Sequence, residues 1–292
     1  MLTPFNSGYL PKVDGHEIFF AEYGNREGEA ILTIHGGPGS HHKPRHVECL
    51  DLNKYCVIAF DQRGCGLSKY DDLLKENNTQ KILDDAERLR IYLKISSWFV
   101  AGSSWGSTLA LAYAEKYPSS VKGILLSSIF LGRKSDDDWA FGGKGANELF
   151  PDLWDQTKSS LSVAELLNEI EHAELSKRNE LVAKVLSWEG NLMTSQSDIA
   201  ITDPSEVTDE YLAMVKISLH YNTHDYFLED NEILNKISSI KEIPTVIVHG
   251  RYDILCPANG AYTLHKSLNN SELIMLPSSN HKLSADGAVT SV

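Results

Sequence analysis

The chain has 292 residues, is 42% hydrophobic and carries a formal net charge of −13. That length admits one large α/β domain or a domain with a sizeable insertion, and the apolar content is ample for a core. The acidic balance argues against nucleic acid and against anionic membrane surfaces as partners, without naming a substrate. The four cysteines, Cys49, Cys56, Cys65 and Cys256, have neither metal-ligand spacing nor the density of a disulfide framework. Met1 to Asn6 has no basic or apolar leader pattern. No stretch approaches the about 18 consecutive apolar residues of a membrane helix. A soluble, cytoplasmic protein is the expectation.

In chain order, Glu17 to Tyr23 reads as a strand closed by Gly24-Asn25. Ala30 to His35 is a short apolar run of the kind that buried parallel strands show, and it ends in Gly36-Gly37-Pro38-Gly39. Tyr55 to Phe60 is another, ending in Asp61-Gln62-Arg63-Gly64-Cys65-Gly66. Thr79 to Lys94 has largely helical spacing, with Thr79 as its expected N-cap. A strand at Trp98 to Ala101, a helix after Ser104 stopped by Pro118, and a strand at Gly123 to Ser128 follow. Alternating strands and helices imply a mostly parallel sheet with helices on both faces.

From Arg133 to about Asn235 the segments are helical and amphipathic, Val163 to Ala173 and Asn179 to Trp188 among them. The alternation resumes with a strand at Pro244 to His249, a helix at Ala258 to Leu268 and a strand at Glu272 to Leu276. The expected organisation is therefore a sheet domain at 1–132 and 236–292 with an inserted helical cap at 133–235.

Gly102-Ser103-Ser104-Trp105-Gly106 reads G-x-S-x-G between a strand and a helix, the context of a nucleophile elbow. Ser104, Asp253 and His281 each follow the C-terminal end of a predicted strand, where open α/β sheets bind ligands. Taken singly, Asp253 reads as a turn former and His281 as a loop histidine. Together they stand in the chain order Ser, Asp, His of the α/β-hydrolase fold. A serine hydroxyl needs a base to take its proton, an imidazole can take and return it, and a carboxylate fixes the imidazole tautomer. Acyl transfer also needs backbone N–H groups aimed at the developing oxyanion. Trp105, after the nucleophile, and Gly37, in the loop after the early strand, are the expected donors. A phosphate cradle fits less well, because G-x-G-x-x-G spacing and a following Lys-Ser/Thr are absent.

The sequence resembles the proline iminopeptidases (prolyl aminopeptidases), serine peptidases of the α/β-hydrolase superfamily. The matching stretches span nearly the whole chain. They are Asn6-Ser7-Gly8-Tyr9, His35 to Gly39, Asp61 to Ser68, Glu76 to Thr79, Gly102 to Pro118, Trp188-Glu189 and Gly250 to Pro257. The resemblance implies release of an N-terminal residue, typically proline, from peptides with a free N-terminus, with no metal or organic cofactor. It also implies that Glu189 binds the substrate amine and that Phe130 lines the proline pocket.

Elsewhere the chain departs from that pattern. A second family glutamate falls at Ser218, a pocket phenylalanine at Asn222, and the middle of a W-Y-Y run at Ala140. A weaker amine site and a larger or more polar pocket are expected, unless Glu206, Asp209, Glu210 or Asp225 restores the charge. The tail after His281 is short, and Ser284 to Ala288 is not a strong helix. Three functions stay open: an aminopeptidase, a hydrolase of the same lineage acting on another amide or ester, and a catalytically silent binding protein. Oligomeric state is not legible.

Overall fold

The computed structural model describes residues 2–194 and 199–283. Eight strands form the main sheet: β1 (Asn6–Tyr9), β2 (Phe19–Gly24), β3 (Glu29–Ile34), β4 (Tyr55–Phe60), β5 (Trp98–Ser104), β6 (Val121–Ile129), β7 (Thr245–Gly250) and β8 (Ser271–Leu276). Their order across the sheet is β1-β2-β4-β3-β5-β6-β7-β8. The β1–β2 and β2–β4 pairs are antiparallel and all the others are parallel. The central strands are apolar on both faces: Val57, Ile58, Ala59 and Phe60 in β4 are fully buried. That is why they read as continuous apolar runs rather than alternating ones.

Helix α1 (Thr79–Tyr92) buries Ile82, Leu83, Ala86 and Leu89. Its N-cap is Asn78, whose side chain accepts from the Lys81 N–H, one residue before the expected Thr79. The Thr79 hydroxyl is used elsewhere, donating to the Tyr226 carbonyl at 2.5 Å. Helix α2 (Trp105–Lys116) is buried at every position from Trp105 to Ala114, as a helix between the sheet and a second layer must be. The strand expected at Glu17 to Tyr23 is broken at Ile18. His16–Glu17 pairs instead with Lys69–Tyr70 as a small separate ribbon.

Between β6 and β7 every described element is helical. The longer ones are α3 (Lys134–Ala140), α4 (Pro151–Thr157), α5 (Val163–His172), α6 (Leu175–Thr194) and α7 (Asp209–Thr223). Helix α6 is twice as long as the sequence pattern marked: its buried positions continue at helical spacing from Leu181 and Val182 through Ser187 and Trp188 to Asn191 and Leu192, two of them polar. Leu166, Leu167 and Ile170 of α5, Leu181 and Val182 of α6, and Val215 and Leu219 of α7 form a core of their own. Helix α8 (Ala258–Ser267) returns the chain to the sheet. The tail from Ser284 onward lies outside the described residues. No described helix is long and apolar enough to cross a membrane.

The order β4-β3-β5 means that the chain leaves β3 to one side and returns on the other. The crevice this opens at the C-terminal ends of β3 and β5 is where such sheets bind ligands. Its rim is braced by buried polar contacts in the loop after β4. Arg63, 1% exposed, forms a two-pronged bond to Asp85 of α1, Nε to Oδ2 at 2.6 Å and Nη2 to Oδ1 at 3.1 Å. Its Nη1 donates to the Glu76 carbonyl at 2.8 Å. Asn77 then ties the loop to the helical block, donating to the Arg63 carbonyl at 3.0 Å and accepting from the Tyr221 hydroxyl of α7 at 3.0 Å. Removing one partner of such a pair strands a buried charge. Asp85→Asn would leave Arg63 only the part-exposed Asp14 carboxylate, 3.5 Å from Nη1, and should lower unfolding free energy by about 3 kcal/mol. The double variant Arg63→Met/Asp85→Leu should cost less than that single change, as read by chemical denaturation.

Candidate active site

Ser104 closes β5 at φ 57°, ψ −128°, a backbone region a serine enters only under constraint. The constraint is packing on both sides of it. A Cβ on Gly102 would meet the Gly106 carbonyl oxygen at 2.1 Å, and one on Gly106 would meet the Ile34 carbonyl oxygen at 2.2 Å. Only glycines at 102 and 106 let β5, α2 and the end of β3 approach this closely. The turn is tied further by Ser107, whose hydroxyl donates to the Ser104 carbonyl at 2.6 Å and accepts from the Phe130 N–H at 3.1 Å. The Thr108 hydroxyl donates to the Phe130 carbonyl at 2.7 Å. The first turn of α2 thus holds Phe130 beside the serine.

Asp253 and His281 meet as the sequence reading expects. His281 Nδ1 lies 3.0 and 2.9 Å from the two Asp253 carboxylate oxygens. A carboxylate only accepts, so the proton sits on Nδ1 and the Nε2 lone pair is left as the basic one. Asp253 Oδ1 also accepts from the Cys256 N–H at 2.8 Å. The His281 loop is held by the Ser128 hydroxyl, which donates to the His281 carbonyl at 2.6 Å. His249 lies beneath. Its Nδ1 accepts from the Ile129 N–H at 3.0 Å, so Nε2 carries the proton and donates to the Cys256 carbonyl at 2.9 Å. Burial pushes its pKa down and keeps it neutral beside Asp253.

Cys256 brings a thiol to this site, which the spacing of the four cysteines does not announce. Its sulfur, an Asp253 oxygen and a His281 nitrogen lie within 4.8 Å of one another. Such a set has metal-ligand chemistry on paper, but a thiol binds metal as the thiolate. Burial first, then the Asp253 charge, push the Cys256 thiol well above its usual range, against that ionisation. Cys256 and Ser104 line the same pocket.

A pocket with about 390 Å³ of empty space opens onto Ser104. Gly37, Phe130, Ala140, Glu189 and Ser218 all line it, so five residues marked from the sequence converge there. Trp105, the residue after Ser104, is fully buried and does not line the pocket. Glu189 is brought in by its neighbour: the Trp188 indole N–H donates to the Ala140 carbonyl at 2.8 Å and pins α6 to the end of α3. No described residue hydrogen-bonds or ion-pairs with Glu189. Burial raises its pKa, an effect partly offset by the His281 ring.

Asn222 does not line the pocket. Its amide reaches the Asp137 carboxylate and lies 3.4 Å from the Tyr226 hydroxyl. Tyr226 takes the wall that Asn222 was expected to vacate, with its ring 5.5 Å from Trp105 and 5.1 Å from Phe130. The pocket therefore keeps aromatic walls in Phe130, Phe141 and Tyr226 despite Ala140. No sequence signal marks Tyr226, because it is placed by an unusual backbone. Asp225, Tyr226 and Phe227 have φ of 49°, 57° and 54° in succession. Left-handed backbone costs a non-glycine residue roughly 1–2 kcal/mol. None of Glu206, Asp209, Glu210 or Asp225 lines the pocket, and Glu210 pairs with His41 at 3.1 Å.

The loop after β3 is locked from the other side. A Cβ on Gly39 would meet the Met214 carbonyl oxygen of α7 at 2.5 Å. Inside the loop, buried His35 accepts from the Gln62 N–H at 3.0 Å, and burial holds its pKa down at about 4. Further along the same loop the His42 N–H donates to the buried Asp61 carboxylate at 2.9 Å, so the segment bearing Gly37 is anchored on both sides.

Residues 29–288 match the family model for the alpha/beta hydrolase fold. Among solved structures, an esterase of Exiguobacterium antarcticum superposes with a TM-score of 0.61 at 18% identity, covering 94% of this chain and 91% of that one. A bromoperoxidase of Bacillus anthracis does so with 0.63 at 16%, covering 95% and 94%. At such identities the likeness is one of fold. Closer in sequence is a probable proline iminopeptidase of Leptolyngbya boryana, 38% identical across 100% of this chain and 93% of its own length. The proline iminopeptidase of Arabidopsis thaliana is 34% identical across 98% and 77%. That of Neisseria meningitidis serogroup B is 35% identical across 92% and 88%. With 34–38% identity to these relatives over nearly its whole length, this chain belongs to the proline iminopeptidase family of α/β hydrolases.

Proposed function

We propose that this chain is a serine aminopeptidase that releases an N-terminal proline, or another small residue, from peptides with a free N-terminus. The observation that carries the reading is Glu189: a half-buried carboxylate with no hydrogen-bond or ion-pair partner among the described residues, lining the same pocket as Ser104. A buried charge without a partner is costly, and a cationic substrate group is the partner that would offset it. The helical block at 133–235 acts as the cap that carries this carboxylate over the sheet.

The chemistry follows from the positions. Ser104 Oγ attacks the carbonyl carbon of the first residue while His281 Nε2 takes its proton. Asp253 holds the imidazolium that forms. The oxyanion is met by the N–H groups of Gly37 and Trp105. His281 then protonates the departing amine, and a water, deprotonated by the same ring, releases the acyl group from Ser104.

Ser218 favours a second reading, an enzyme of this lineage whose specificity has shifted to another amide or ester, since a hydroxyl carries no charge for an ammonium. A panel of aminoacyl chromogenic amides against simple acyl esters separates the two. Activity confined to esters would sink the aminopeptidase reading.

A serine-directed phosphonate should label Ser104, located by peptide mass spectrometry, and Ser104→Ala should lose activity by several orders of magnitude. An adduct on Ser103 or Ser107 would reassign the nucleophile, and no adduct would favour a silent binding protein. Asp253→Asn should keep the fold and lower kcat by about 10⁴, through the wrong imidazole tautomer.

Glu189→Gln should separate stability from function. Because the folded pKa of Glu189 is raised, folded protein retains a proton that the unfolded chain has lost. Stability therefore falls as pH rises through that window and stays lower above it. The variant should melt higher than wild type at pH 8 and equally at a pH below the ordinary carboxylate range. Its KM for a prolyl amide should rise roughly ten- to a hundredfold, as loss of one charge-assisted contact implies. A melting difference that does not change with pH would refute the unpartnered-carboxylate account.

A further inference from the structure

The resemblance leaves the amine site one carboxylate short, since Ser218 stands where a second glutamate is expected. The pocket nevertheless has a second acid behind its wall. Asp137, on α3, accepts hydrogen bonds from the Tyr226 hydroxyl at 2.9 Å and from the Asn222 amide. Tyr226 lines the pocket together with Glu189 and Ser218. Its hydroxyl proton is committed to Asp137, so what the phenol oxygen can offer the pocket is a lone pair beside the long contact it accepts from the Asn222 amide at 3.4 Å. Hydrogen-bonded chains of this kind polarise the middle member, which makes that oxygen a better acceptor. Burial first, then the Asp137 charge, hold the Tyr226 hydroxyl well above the usual tyrosine range, against a smaller downward pull from the Asn222 amide.

Two further features fix the arrangement. Tyr226 sits in the middle of three consecutive left-handed residues, held by the Thr79 hydroxyl on its carbonyl. Strain of that kind persists where the surroundings over-determine it, and it gathers at ligand sites. Asn222, a position where the family pattern has an apolar ring, is instead an amide that serves the Asp137 carboxylate. The substitution at 222 and the acid at 137 thus belong to one network.

We propose that Asp137 and Tyr226 form the second half of the ammonium anchor. The Tyr226 oxygen accepts from the substrate's N-terminal ammonium opposite Glu189, and Asp137 supplies the balancing charge through it. This rests on the aminopeptidase reading for the identity of the cation. Tyr226 touches the substrate, and Asp137 is a positioning residue. The ligand class is a small cyclic or short-chain ammonium. The anchor replaces a carboxylate in direct contact with a neutral oxygen backed by one.

The test uses direct binding, so it does not depend on turnover. Affinities of pyrrolidine, cationic at pH 7.5, and of cyclopentanol, its neutral counterpart in size, are measured by calorimetry on the full chain. Wild type should prefer pyrrolidine. Asp137→Asn, which keeps an acceptor for the tyrosine but removes the charge, should weaken pyrrolidine about tenfold and leave cyclopentanol in place. Tyr226→Phe should do the same. Adding Ser218→Glu to Asp137→Asn should restore pyrrolidine binding. With a prolyl amide the loss should appear in KM rather than in kcat.

Equal weakening of both ligands would make Asp137 a structural brace and overturn the proposal. So would a wild type that binds the two alike, or an Asp137→Asn variant that binds pyrrolidine normally. A loss in Asp137→Asn without one in Tyr226→Phe would remove the tyrosine from the contact. Failure of the aminopeptidase reading shows separately, as absence of prolyl amide turnover in a wild type that still prefers the cation.

Discussion

The architecture depends on one close approach of backbone to backbone. Gly102 and Gly106 let strand β5 and helix α2 meet within van der Waals distance of each other and of the end of β3. Because no side chain fits there, the turn between them cannot relax, and Ser104 is left with φ 57°. The strain is sustained by the surroundings: α2 is buried along ten consecutive residues, and apolar burial on that scale outweighs the roughly 1–2 kcal/mol of one left-handed residue. The reactive hydroxyl, the adjacent N–H of Trp105 and the loop carrying Gly37 are thereby fixed relative to one another before any substrate arrives, as electrostatic preorganisation requires.

Around this point, the structure uses buried polar groups in two opposite ways. Arg63, Asp85 and Asn77 are fully engaged, and their worth lies in holding a loop in a single arrangement. Glu189, half-buried, has no partner among the described residues, at a cost in stability. Asp137 lies between these cases, satisfied by Tyr226 and Asn222 yet close enough to the pocket to lend it charge. The pocket opens where engagement is incomplete, and the loop after β4 is held where it is complete.

The α/β alternation was legible because buried parallel strands are continuous apolar runs, and Tyr55 to Phe60 shows this to the residue. The Asp253–His281 pair was legible because each residue follows a strand end. Smaller errors have local causes. Asn78 outcompeted Thr79 for the N-cap because the Thr79 hydroxyl was needed by a segment 147 residues away. Asn222 was assigned to the pocket by its position in a motif, although its side chain turns to Asp137. Tyr226 and Asp137 were missed outright. Three consecutive positive φ values at Asp225, Tyr226 and Phe227 leave no trace in residue type, since none of the three is glycine or asparagine. Cys256 lay inside a recognised stretch, yet its proximity to the triad depends on how the chain turns after Asp253.

The contact between Gly39 and Met214 bears on how such enzymes can be recombined. The loop that carries Gly37 and the helix that carries Ser218 touch backbone to backbone, with no side chain between them to absorb a misfit. Roof and catalytic loop are therefore not independent modules. A chimera that grafts another family member's helical block onto this sheet would inherit a different carbonyl at that spot, and the loop would shift with it. Exchange of substrate preference by domain grafting would have to carry residues 36–42 along with the roof. Drift in one would be felt first as lost rate, before any change in which peptide is bound.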